Sequence, residues 1–243
     1  MSQLDNIQFK LSKGTTSWLE YEFSCDRGNL FNEKYLSFPI GNILNSITDC
    51  MVLTEINHPT IKKLKVGRPL QIDFVLHEKG SKSKWKYVVE SKWTGTTEPK
   101  LEDIFWDLIR LQNIFEFQKD VKCYFVFSGF LKKLKTSKIS PLFTESKDPP
   151  SKSRGSLITR SRSFYKIELN HLDKTTKKNL NEKKNKYGQF KMFSEIVIRT
   201  PHIFPIFDID KKEEIKGIIN MSLFTCAFEV MKPNVNKRVP FIL

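Results

Sequence analysis

The chain has 243 residues, with 41 Lys and Arg against 27 Asp and Glu and a formal net charge of +14; 39% of it is hydrophobic and 28% charged. Such a composition can bury a core, which excludes wholesale disorder, collagen and coiled coil and fits one large domain, or a domain carrying an insertion. No run approaches the roughly 18 apolar residues of a membrane span, and the opening MSQLDNIQFK lacks the basic flank and apolar core of a secretory signal, so a cytoplasmic protein without a membrane partner is expected. Cys25, Cys50, Cys123 and Cys226 form no CxxC pair and have no nearby histidine to complete a metal set, so reduced thiols are expected.

In chain order, residues 1–36 read as strand-like and irregular stretches around WLEYEF (18–23). From Ser37, a capping residue, and Pro39, suited to a first turn, the helical spacing of Ile40, Ile43, Leu44, Ile47 and Met51 predicts a core-facing helix over about 38–53. LQIDFVL (70–76) and KWKYVVESKW (84–93) are β-rich runs separated by EKGSKSK, whose Gly80 suits a hairpin loop. After Pro99, Leu101, Ile104, Phe105, Leu108, Ile109 and Phe115 form the apolar stripe of a helix. VKCYFVFSGF (121–130) is nearly continuous in apolar residues, the pattern of a strand covered on both faces. The order helix, strand, strand, helix, strand predicts a mixed α/β sheet. Beyond it, SPLFTESKDPPSKSRGS reads as loop, LNHLDKTTKKNLNEKKNKYG as a short polar helix, FSEIVIRT (193–200) and NMSLFTCAFEVM (220–231) as strands, and DIDKKEEIKGII as a short helix between them.

Side chains alternate along a strand, so Glu90 and Lys92 share one face. If Glu78 pairs with Trp85, every hairpin pair sums to 163 and Asp73 lies opposite Glu90, which brings three ionisable groups together. Opposed side chains in such a pair are about 4.5–5.5 Å apart, close enough for two carboxylates to share a divalent cation. Hard oxygen ligands suit Mg²⁺ or Mn²⁺, and Lys92 is placed to orient a water or stabilise a charged transition state; the chemistry that results is phosphodiester hydrolysis. The competing reading is a structural ion pair or an exposed sheet face.

Asp73 followed by Glu90-Ser91-Lys92, on strands succeeded by an amphipathic helix and an apolar strand, resembles the PD-(D/E)XK nuclease superfamily, the restriction-endonuclease-like fold, over about residues 37–130. Ile72, where the family motif often has proline, departs from the pattern. The resemblance implies a metal-dependent DNA endonuclease in which Asp73 and Glu90 bind metal, the Ser91 carbonyl adds a ligand and Lys92 is the catalytic lysine. It also implies a further acid from an early helix: Glu33 is the candidate, with Glu22, Glu20 and Glu55 behind it. A role in restriction or anti-phage defence follows by analogy alone. The whole chain, 1–243, then reads as one nuclease-like domain with a core at 37–130 completed by 192–243.

Between residues 131 and 191, 17 basic residues face five acidic ones, so this segment carries +12 and the remainder +2. It is read as a basic insertion or lobe attracting nucleic acid, with Lys132, Lys133, Lys135, Arg160, Arg162, Lys183, Lys184 and Lys186 as candidate contacts; a solvated lysine-rich surface is the alternative. Double-stranded DNA is the expected partner. A homodimer, or a helicase or ATPase partner, is compatible, because the chain carries no phosphate-binding GxxxxGK[ST] or GxGxxG loop. A non-catalytic nucleic-acid-binding module is the runner-up. His77 shares the strand face of Asp73 and is expected to be an exposed strand-end residue, while Trp85, Trp93 and Trp106 are expected to pack the sheet against the helix.

Overall fold

Ile7, Leu11, Thr15 and Leu19 recur every fourth residue and all are buried, which is the signature of a helix rather than of the irregular strands expected there. In the computed structural model, which describes residues 6–47, 49–60, 69–81, 84–95, 100–130, 164–188, 190–199, 206–207 and 223–233, this segment is α1 (Asn6–Ser24). Its apolar stripe is hard to read because buried Gln8, Ser12, Thr15 and Thr16 interrupt it. Polar groups on this face bind the sheet: Gln8 Nε2 donates to the Ala227 and Arg199 carbonyls at 3.0 and 3.1 Å, and the Ala227 N–H donates to Ser12 Oγ at 2.9 Å.

The next helix, α2 (Glu33–Ile47), starts earlier than Ser37 because Asn32 caps it: its Oδ1 accepts the Tyr35 N–H at 3.0 Å. Pro39 therefore lies inside the helix, and Leu36, Ile40 and Leu44 form its fully buried face. The expected continuation to residue 53 is replaced by strand β1 (Cys50–Asn57), in which Met51 pairs with His77. β1 is the sheet edge, and its mixed, half-exposed side chains give no clean alternation to read.

β2 (Gln71–Glu78), β3 (Trp85–Thr94), helix α3 (Leu101–Phe117) and β4 (Lys122–Phe130) follow within a residue or two of expectation. β5 (Phe164–Glu168), helix α4 (Lys174–Tyr187), β6 (Glu195–Arg199), β7 (Ile206–Phe207) and β8 (Leu223–Val230) complete the described elements. The polar helix α4 is delimited by local chemistry. Asp173 caps its start by accepting the Thr176 N–H at 2.9 Å, and Gly188, at φ 65°, ends it. The loop expected at SPLFTESKDPPSKSRGS and the helix expected at DIDKKEEIKGII lie outside the described residues.

The strands form one mixed sheet in the order β1-β2-β3-β4-β8-β6-β5, with β7 paired to β8. β3 and β4 are parallel, joined through α3; their neighbours are antiparallel. At their far end the backbones approach so closely that a Cβ on Gly129 would lie 2.1 Å from the Thr94 carbonyl oxygen, which only glycine tolerates. Helices cover both faces. Val88, Phe125, Phe127 and Phe228 pack against α3 and α4, while Phe74, Val89, Tyr124 and Val126 pack against α1 and α2. That double cover explains why β4 reads as a nearly continuous apolar run and why β8 is buried along its whole length. Among the described residues, no helix is long and apolar enough to cross a membrane.

Candidate active site

The β2–β3 ladder has the expected register through Leu76–Tyr87, Val75–Val88 and Phe74–Val89, and its last pair stands immediately before Asp73 and Glu90. Toward the turn the register slips. His77 rather than Glu78 opposes Trp85, and Lys86 is the extra residue, while the Glu78 N–H bonds the Lys84 carbonyl at 3.1 Å. The slip lies on the far side of the ladder from Asp73 and leaves the candidate site untouched.

Where the ladder ends, a side chain takes over. Asp73 Oδ2 accepts both the backbone N–H and the hydroxyl of Ser91, each at 2.7 Å, which fixes the Asp73 carboxylate beside the strand that carries Glu90 and Lys92. Glu90 and Lys92 point to the face covered by α3. There Lys92 Nζ lies 3.1 Å from Asp107 Oδ2 and 3.1 Å from Glu33 Oε2 on the first turn of α2. Arg110, one helical turn beyond Asp107, places Nη2 2.7 Å from Glu90 Oε1 and Nη1 3.0 Å from Asp107 Oδ1. Nη2 also donates to the Gln71 carbonyl.

Four carboxylates (Glu33, Asp73, Glu90, Asp107) thus meet two cations (Lys92, Arg110), a formal deficit of −2 if all are ionised. Burial pushes the Glu90 carboxyl well above its ordinary pKa; Arg110 opposes this, and Asp73 and Asp107 add to it. Asp73 is raised as well, chiefly by burial, against the pull of its two bonds from Ser91. Burial alone would lower the Lys92 ammonium, but Asp107 and Glu33 more than offset it, so Lys92 is held firmly as a cation.

The structure therefore brings Asp73, Glu90, Ser91, Lys92 and Glu33 together. Of the other early acids, Glu22 is engaged by Arg27 at 3.2 Å and by the Tyr35 hydroxyl, Glu55 lies exposed on the edge strand, and Glu20 lies on α1. Asp107 and Arg110 join the cluster although no sequence motif includes them. The signal for them is an Asp and an Arg three residues apart in a helix buried at every position from Ile104 to Phe115. His58 is likewise absent from the sequence-predicted site. It is 1% exposed at the end of β1, where Nδ1 accepts the Thr60 N–H at 3.3 Å, so Nε2 donates to the Arg110 carbonyl at 3.1 Å and braces α3 at that residue. Burial, and then the Arg110 charge, push its pKa down to about 3, so it is neutral.

Other expectations are corrected. His77 is buried, not exposed, because its ring packs edge-on against Trp85 with centroids 6.1 Å apart. Trp93 faces the α1–α2 side against Phe31 and Phe130, since it differs in strand parity from Glu90 and Lys92. Trp106 packs on Tyr187 and Phe190 beside α4. Of the candidate nucleic-acid contacts, Lys132, Lys133, Lys135, Arg160 and Arg162 lie outside the described residues. Lys183, Lys184 and Lys186 are on α4, and Lys183 is paired with Asp103 in the first turn of α3, one turn before Asp107.

Comparisons with family models, with curated proteins and with solved structures found no match. Among the described residues, no three His, Cys, Asp or Glu side chains stand ready as an ion cage. The donor chemistry nevertheless fits a hard divalent cation. Glu90 is 4% exposed, and its Oε1 makes no hydrogen bond among the described residues. The half-buried Asp73 carboxylate acts on it electrostatically, and with every group ionised the cluster carries the formal −2 that one divalent ion neutralises.

Proposed function

We propose that the chain is a Mg²⁺- or Mn²⁺-dependent nuclease of restriction-endonuclease-like fold that hydrolyses DNA phosphodiester bonds. The observation that carries the reading is the meeting of Asp73, Glu90 and Lys92 where the β2–β3 ladder gives out, with Lys92 locked as a cation between two carboxylates. Asp73 and Glu90, with the Ser91 carbonyl and Glu33 as further donors, would hold the ion. A bound divalent ion would polarise the phosphoryl oxygen and lower the pKa of an attacking water.

The chain's own residues supply the rest. Lys92, kept protonated, is unsuited to abstract a proton and suited to stabilise negative charge developing on the phosphoryl group. Asp107 and Glu33 fix its position, so little reorganisation is needed as that charge develops. Ser91 aims the Asp73 carboxylate through two hydrogen bonds. The basic stretch from 131 to 191 supports a polyanionic substrate, and α4 places part of that charge against α3, the helix that carries Asp107.

A second reading has support of its own, since every carboxylate in the cluster already has a cationic or hydrogen-bonding neighbour. On that reading the cluster is structural and the chain binds nucleic acid without cutting it. Incubation with linear and circular DNA in Mg²⁺ or in EDTA separates the two. Metal-dependent cutting supports the nuclease, and intact DNA in both conditions, with binding retained, supports the module.

A further inference from the structure

We propose, on the basis of the metal-dependent reading above, that Arg110 is a resident counter-cation, which neutralises Glu90 whenever no divalent ion is bound and which an incoming ion displaces from Glu90. Arg110 is 7% exposed and the charge of its guanidinium is permanent. Two hydrogen bonds hold it without help from Glu90: Nη1 donates to Asp107 Oδ1 at 3.0 Å, and Nη2 donates to the Gln71 carbonyl. His58 adds a third restraint by binding the Arg110 carbonyl.

Its contact with Glu90 is of another kind. Nη2 and Oε1 are 2.7 Å apart, yet Oε1 makes no hydrogen bond among the described residues, so the attraction is coulombic and out of line. Of the three groups around the guanidinium, Glu90 is therefore the one that can be released while Arg110 stays in place. Released, the Glu90 carboxylate is available beside Asp73 as an ion ligand. Arg110 would then weaken ion binding, because a fixed positive charge both occupies one ligand and repels the ion.

The test is Mn²⁺ binding by titration calorimetry to the full chain, to Arg110→Gln and to Arg110→Lys. The proposal predicts at least tenfold tighter binding to Arg110→Gln, with Arg110→Lys close to wild type because it keeps the charge. Wild-type binding with no gain in Arg110→Gln overturns the proposal and leaves the nuclease reading standing, whereas no binding to either overturns both. Should Arg110→Gln not fold, wild-type crystals grown with and without Mn²⁺ decide. The proposal predicts that the ion separates Arg110 from Glu90 beyond about 4 Å while the Asp107 bond persists, and a retained Arg110–Glu90 contact with the ion bound overturns it.

Discussion

Lys92 Nζ lies 3.1 Å from Asp107 Oδ2, a contact that ties the third strand to the helix laid across it. Asp107 also holds Arg110, so one buried carboxylate positions both cations of the site. Removing one partner from a buried charge network leaves the others uncompensated, and Asp107→Ala is expected to cost about 3 kcal/mol of stability by urea denaturation. Asp107→Asn, which keeps the shape and a polar group, should cost less. A loss below about 0.5 kcal/mol in Asp107→Ala would mean that the network is solvated and loose.

The raised carboxyls give the site a pH signature. Burial holds Glu90 and Asp73 above their ordinary values, so the folded chain takes up protons more readily than the unfolded one. Stability from these groups is thus lost as pH rises from the ordinary carboxylate range through the raised folded values. A divalent ion that ligates them offsets that loss. Mg²⁺ should therefore raise the thermal midpoint more at about pH 8 than at about pH 5, and Glu90→Ala should show no rise at either. An equal shift in the variant would put the ion elsewhere.

His58 has the opposite sign. Its folded pKa is pushed down to about 3, from the ordinary 6.5, so between those values only the unfolded chain binds the proton and stability falls on acidification. In His58→Gln this contribution is absent. The stability of the wild type relative to the variant should fall as pH drops from about 6.5, by up to about 1.4 kcal/mol per unit. A constant difference from about pH 7 to about pH 4 would show that His58 is accessible to protons in the folded state.

The basic helix is tested by salt. Because Lys183 is engaged by Asp103, neutralising Lys184 and Lys186 removes the charge better placed for a polyanion. On duplex DNA held uncleaved in Ca²⁺, the log–log salt slope of binding should flatten by about 0.9 for each phosphate that the variant no longer neutralises. An unchanged affinity and slope would make α4 a solvated surface.

How legible each element is in the sequence follows from how cleanly it repeats. α3 carries a clear helical period and β4 a nearly continuous apolar run, and the β2–β3 register follows from strand parity, so Asp73, Glu90 and Lys92 can be placed together from the residue pattern alone. α1 does not read as a helix because Ser12, Thr15 and Thr16 occupy its buried face, and polar residues such as Ser12 serve sheet contacts that no local pattern announces. β1 is obscured at an irregular edge, where Glu55 adopts φ 52°. Asp107 and Arg110 stay hidden because their partners lie on other elements: a charge in an apolar helix marks a site, but only the packed sheet shows which groups meet it.

Cleavage and metal binding measured side by side on Lys92→Ala and Glu90→Gln test the central claim most directly. Lys92 is assigned to the transition state and Glu90 to the ion, so Lys92→Ala should lose at least about a hundredfold in the single-turnover cleavage rate on DNA in Mg²⁺ while still binding Mn²⁺. Glu90→Gln should lose both. Cleavage at the wild-type rate by both folded variants would contradict the account and move the chemistry away from this cluster.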